Sequence, residues 1–157
     1  MPLFEGAIFS VERRDGRDVV VHGPAVAIVP VDREEHVTLV RQVRVPAGGS
    51  VLELPAGGVE EGESPLEAAK RELAEETGLH GGEWFEAATF FTSPGYTDER
   101  MHLFFATGLD RGEPSPEESE DLELVRVPLD EVPALIAECD DGKTLVGLLL
   151  LMRHRHL

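Results

Sequence analysis

The stretch 57–79, GGVEEGESPLEAAKRELAEETGL, carries its own structural boundaries. Ser64 offers an N-cap oxygen, Pro65 suits a first helical position, and Glu67 completes a capping box. Gly78 is placed to end the helix. Between these signals, Leu66, Ala69, Leu73 and Thr77 mark the expected inward stripe. Glu72, Glu75 and Glu76 stand at i, i+3 and i+4, so their carboxylates crowd one side. Such like-charge pairs cost about 0.2–0.5 kcal/mol each. Glu75 and Glu76 also fall in the last turn, where the helix dipole disfavours acids. A bound divalent cation reverses the sign of both terms, and oxygen ligands suit Mg²⁺ or Mn²⁺. Taken alone, the triad also reads as a solvated acidic face beside Lys70 and Arg71.

Upstream, residues 25–31 and 37–43 are rich in β-branched side chains and read as strands, with shorter ones at 7–9, 19–22 and 51–54. Residues 12–16 read as a charged turn, 46–50 as a loop and 55–58 as a turn. Downstream, strands are expected at 84–92 and 101–109, flanking the loop 93–98, and at 122–127. The acidic, proline-containing stretch 112–121 reads as a mobile loop, and helices are expected near 130–139 and 143–154. Strands on both sides of one strong helix predict an α+β fold with a mixed sheet covered by helices.

The chain of 157 residues fits one domain, 1–157, with a substantial core. Its net charge of −17 lacks the basic footprint of a nucleic-acid binder. Carboxylates that hold divalent cations reconcile such acidity with a phosphate substrate. The apolar run 148–152 is far short of a membrane span, and Met1-Pro2-Leu3-Phe4-Glu5 has no secretory character, so a cytoplasmic location is expected. One cysteine, Cys139, excludes an intrachain disulfide framework. The six histidines show no ligand or triad spacing, and no Gly-x-Ser-x-Gly element is present.

Gly57-x5-Glu63-x7-Arg71-Glu72-Leu73-x-Glu75-Glu76-x-Gly78-Leu79 resembles the Nudix box at every fixed position. At background residue frequencies such a match arises by chance on the order of once in a million. The resemblance implies a Nudix fold, a mixed β-sheet sandwiched between helices, with 57–79 as the box and 1–22 as a short N-terminal strand region. It implies that Glu72, Glu75 and Glu76 ligate the metal, helped by the carbonyl of Ala56, with Gly57 letting the loop come close. Arg71 and Glu63 resemble the pair that braces loop against helix.

Fifteen positions after Leu79 stands Pro94, which with its loop resembles the ADP-ribose pyrophosphatase subgroup, as do Arg41, Gln42 and Arg44 and the run Glu53-Leu54-Pro55-Ala56-Gly57. The resemblance implies Arg44, with Arg41 as second candidate, as the grip on the diphosphate. Glu53 either touches a ribose or orders a loop, and Tyr96 either stacks on a base or packs. Glu120 is the implied general base, with box residue Glu75 as the alternative. The activity implied is hydrolysis of ADP-ribose to AMP and ribose 5-phosphate, with two or three Mg²⁺ ions (Mn²⁺ possible) in a homodimer. The short N-terminal region leaves the adenine contacts unassigned. The alternatives are another nucleoside diphosphate derivative, such as a nucleotide sugar or an oxidised nucleotide, or a non-catalytic ADP-ribose sensor. The intact box speaks against the sensor.

Overall fold

The computed structural model describes residues 1–117 and 121–155. In chain order the first strands are β1 (Phe4–Glu5), β2 (Ser10–Arg14), β3 (Arg17–Val21), β4 (Pro24–Asp32) and β5 (His36–Arg44). Then come β6 (Gly49–Glu53), β7 (Ala56–Gly58) and the helix α1 (Pro65–Thr77). The remainder is β8 (Glu83–Phe91), β9 (Arg100–Leu109), β10 (Glu123–Pro128), α2 (Val132–Glu138) and α3 (Gly142–Arg155).

Among the described residues the main sheet has seven strands, running β10-β5-β4-β9-β8, with β6 beside β5 and β7 beside β4. It is mixed, because β4 and β9 pair in parallel while its other pairs are antiparallel. Strand β4 is buried from Ala25 to Asp32 because helices cover both of its faces. Ala25, Ala27, Val29 and Val31 pack with Leu103, Phe105, Val132, Leu148 and Leu151 on the α2–α3 side. Val26 and Ile28 pack with Ala68, Ala69, Leu73 and Phe104 under α1. An unbroken apolar run is what a doubly covered strand needs. The fold is therefore α+β, with the sheet between helices as expected. Among the described residues, no helix is long and apolar enough to cross a membrane.

Several local expectations change. Residues 7–9 are not a strand; β2 and β3 form a hairpin that reverses at Asp15 and Gly16, with φ of 48° and 77°. Positive φ at both turn residues marks the tight reversal favoured in hairpins, so the turn is far narrower than 12–16. Residues 55–58 do more than turn, since Ala56–Gly58 pairs with β4 as β7. Loop 46–50 is shorter than expected: Val45–Ala47 is a 3-10 turn and β6 already begins at Gly49. On α1, Leu66 is half-exposed and the buried set is Ala68, Ala69, Leu73, Glu76 and Thr77. Small residues at 68 and 69 let the helix lie close to β4, which leaves the bulkier Leu66 outside. Within 112–117 there is no helix or strand, yet the segment is docked on the end of α1. The Ser115 N–H donates to the Glu75 carbonyl at 2.8 Å, and a Cβ on Gly78 would stand 2.2 Å from the Gly112 oxygen.

Candidate active site

The ends of α1 form as its sequence predicts. The Glu67 N–H donates to Ser64 Oγ at 3.2 Å, and the Ser64 N–H donates to Glu67 Oε2 at 2.8 Å. Gly78 closes the helix with φ of 75°. This fixes the rotation of α1, and with it where the acidic side chains fall.

Arg71 organises that acidic side. Its Nε and Nη2 donate to the two oxygens of Glu63 at 2.8 and 3.0 Å, a paired fork. Nη2 also donates to the Gly58 carbonyl at 3.1 Å, tying the loop to the helix. Nη1 donates to Glu72 at 2.8 Å and to Glu75 at 3.3 Å. The bond to Glu63 leads in raising the Arg71 pKa, and the same bond leads in lowering that of Glu63. Arg71 thus links Glu63 and the Gly58 carbonyl of the loop to the helix. Glu76 is buried, at 3% exposure.

Gly57 meets this helix directly. A Cβ built there would stand 2.1 Å from Glu72 Cδ. The carboxylate therefore occupies a notch that only glycine leaves open. Among the described residues no three His, Cys, Asp or Glu side chains close into a metal cage. Fit to a divalent cation rests instead on donor chemistry: the ligands that the sequence resemblance implies, the carboxylates of Glu72, Glu75 and Glu76 and the Ala56 carbonyl, are all hard oxygens, the kind that suits Mg²⁺ or Mn²⁺. The Gly57 notch brings the loop backbone against the Glu72 carboxylate.

Beside it opens a cleft of about 660 Å³. Arg44 of β5 lines it, with Ala56, Gly57 and Gly58 of β7, then Phe90, Phe91, Ser93 and Tyr96, and Asp141 and Lys143 at the start of α3. Beneath Arg44 lies Glu53, a carboxylate only 3% exposed. Its Oε2 accepts from Arg44 Nε at 2.7 Å and its Oε1 from Lys143 Nζ at 2.5 Å. A buried carboxylate holding two cations sets both at the cleft. Its bond to Arg44 leads in raising that guanidinium's pKa.

Of the residues singled out from sequence, Arg44, Tyr96, Ala56 and Gly57 reach the cleft. Glu53 is covered by the cations it holds, which favours an ordering role over contact with a ribose. Arg41 lies elsewhere: it pairs with Glu123 at 3.5 Å and lines a separate hollow with Cys139 and Glu138. Side chains alternate along a strand, so positions 41 and 44 fall on opposite faces. Ser93 and Tyr96 line the cleft, whereas Pro94 shapes the loop between them. Glu120 lies outside the described residues. Sequence reasoning missed Asp141, whose available signal was an aspartate capping the final helix, and Lys143, which left no signal of its own. It also missed Asp98, which ties the cleft loop to the N-terminal hairpin through the His22 N–H at 3.1 Å and Arg14 at 3.0 Å. These bonds outweigh burial and lower the Asp98 pKa.

A family model described as NUDIX domain matches residues 21–146. A methanol dehydrogenase activator of Bacillus methanolicus is 38% identical over 136 residues, spanning 84% of this chain and 74% of that protein. An ADP-ribose pyrophosphatase of Bacillus subtilis is 39% identical over 132 residues, spanning 82% of this chain and 71% of that protein. The solved structure of an ADP compounds hydrolase superposes with a TM-score of 0.81 at 26% identity, covering 98% of this chain and 89% of that one.

Proposed function

This chain belongs to the Nudix family, and we propose that within it the chain hydrolyses the diphosphate of ADP-ribose, giving AMP and ribose 5-phosphate. The observation that carries this reading is a shared boundary. Residues 56–58 line the cleft that holds Arg44, and Gly57 also receives the Glu72 carboxylate. Glu72 of α1 and the arginine grip therefore border the same loop, 56–58.

Glu72, Glu75, Glu76 and the Ala56 carbonyl are the metal ligands in this reading. Two or three Mg²⁺ ions, or Mn²⁺, bound there supply charge neutralisation at the diphosphate and a lowered pKa for the attacking water. Arg44 holds a diphosphate oxygen, oriented by Glu53. Tyr96, 59% exposed at the cleft, offers its ring to the base. Glu120 accepts the proton of the attacking water, and Glu75 is the alternative acceptor. Arg71 and Glu63 keep loop and helix in register.

The reading extends to one Nudix domain over 1–157, working in the cytoplasm as a homodimer without nucleic-acid partners. Leu3, Phe4 and Ile8, each more than half exposed, favour self-association through apolar contact. A substrate panel with Mg²⁺ tests the assignment. ADP-ribose is expected to give a higher kcat/KM than nucleotide sugars or oxidised nucleoside triphosphates. A higher value for any of these would replace the substrate, and ligand binding without turnover would indicate a sensor.

A further inference from the structure

Asp141 and Lys143 reach the cleft from the far end of the chain, carried there by α3. The helix lies close to the sheet because Gly147 has no side chain: a Cβ there would stand 2.6 Å from Leu54 Cδ1 and 2.9 Å from Val29 Cγ2. Thr144 Oγ1 accepts from the Leu54 N–H at 2.9 Å and locks the contact. Three bonds end on one Asp141 oxygen, Oδ2: from the Thr144 N–H at 3.1 Å, Thr144 Oγ1 at 2.6 Å and Lys143 Nζ at 3.0 Å. Oδ1 takes none of them. The Lys143 ammonium spends two of its three N–H bonds, on Glu53 and Asp141. Two residues that line the cleft thus keep one acceptor oxygen and one donor N–H outside these bonds, each residue braced by partners that do not depend on a ligand.

We propose that Asp141 Oδ1 and the remaining Lys143 N–H bind the hydroxyls of the sugar on the far side of the diphosphate, making this pair the determinant of that sugar. This rests on the reading that the cleft takes ADP-ribose. A carboxylate repels phosphate oxygens but accepts from hydroxyls, and an adjacent ammonium complements it across a vicinal diol. The base has a different match, the aromatic rings of Phe91 and Tyr96, which come from the end of β8 and the loop after it. The diphosphate has Arg44 and the α1 acidic face with its cations.

Asp141→Asn isolates the contact. Asparagine caps a helix about as well as aspartate, so its oxygen can keep the Thr144 bonds while the cleft acceptor becomes a donor. Kinetics with ADP-ribose are compared with those of ADP methyl ester, which keeps adenosine and diphosphate but has no second sugar. Loss of a hydrogen bond to a charged group predicts a roughly 10–100-fold lower kcat/KM for ADP-ribose, with the methyl ester changed less than about 3-fold. Lys143→Met, which removes the donor and one of the two cations on Glu53 but leaves the cap, is expected to lower kcat/KM for both substrates and for ADP-ribose by the larger factor. The melting temperature of each variant accompanies the kinetics, and Lys143→Met carries the test if Asp141→Asn does not fold. An equal fall on both substrates would place the contact on the base or diphosphate half and overturn the proposal. An unchanged ratio in both variants, with wild type active, would overturn it alone. A wild type that cleaves neither compound would sink the functional reading and this inference with it.

Discussion

The Glu72 carboxylate stands where a side chain on residue 57 would go, 2.1 Å from an ideal Cβ on Gly57. A loop residue with no side chain and a helix residue with a charged one, fifteen positions apart, thus share one volume. The fit joins β7, which lines the cleft, to α1, which carries the acidic cluster.

Gly57→Ala is expected to separate folding from catalysis. The atom in the way is the end of a flexible side chain, so Glu72 can turn aside without disturbing the core. Its carboxylate then leaves the ligand position we propose for it. Melting temperature should change by only a few degrees, while kcat falls by roughly 10²-fold or more, given the sensitivity of catalysis to misplaced groups. Parallel thermal unfolding and kinetics check this. Near-normal turnover would remove Glu72 from the metal site.

Asp32 sets an acid limit on stability away from the cleft. It is 5% exposed and accepts from Arg126 Nε at 2.7 Å, from Arg111 Nη2 at 3.3 Å, and from the N–H groups of Glu34 and His36 at 2.9 and 3.1 Å. Burial alone would raise its pKa, but these bonds outweigh it and bring the group from 3.8 down to about 2. Because the folded value is the lower one, the contribution is present above pH 4 and lost as pH falls towards 2. At about 1.4 kcal/mol per pKa unit it amounts to about 2 kcal/mol. Asp32→Asn should therefore be less stable than wild type at pH 7 by about that amount. Denaturant unfolding should show the gap closing between pH 4 and 2, and a gap independent of pH would contradict the assignment.

The general base is tested by two substitutions. Glu120→Gln is expected to lower kcat by roughly 10²–10⁴-fold with little change in Mg²⁺ affinity, the range for loss of a proton acceptor. Glu75→Gln should weaken Mg²⁺ dependence as well as rate. If Glu75→Gln abolishes turnover at saturating Mg²⁺ while Glu120→Gln barely alters it, the base lies within the α1 cluster.

The α1 helix was legible because its signals are local: a capping box, a proline at the first turn and a glycine stop lie within fifteen residues. Strand β4 was legible because burial on both faces leaves an apolar run that needs no knowledge of its neighbours. The N-terminal hairpin was misread for a physical reason. Arg13 and Asp18 pair across it in the open, and charged residues on an exposed hairpin look like loop. Residues 56–58 have turn composition, and only their pairing with β4 makes them a strand. Arg41 and Arg44 could have been separated by strand alternation. Lys143 could not have been placed, since its approach to Glu53, 90 positions earlier in the chain, depends on α3 lying against the sheet.

The most direct measurement is product analysis of ADP-ribose incubated with the full chain, with Mg²⁺ and then with chelator in excess, read by phosphorus NMR. AMP and ribose 5-phosphate are expected in equal amounts with Mg²⁺, none with chelator, and none with Glu72→Gln under either condition. Intact ADP-ribose in the presence of Mg²⁺, or equal product formation by Glu72→Gln, would contradict the proposed activity.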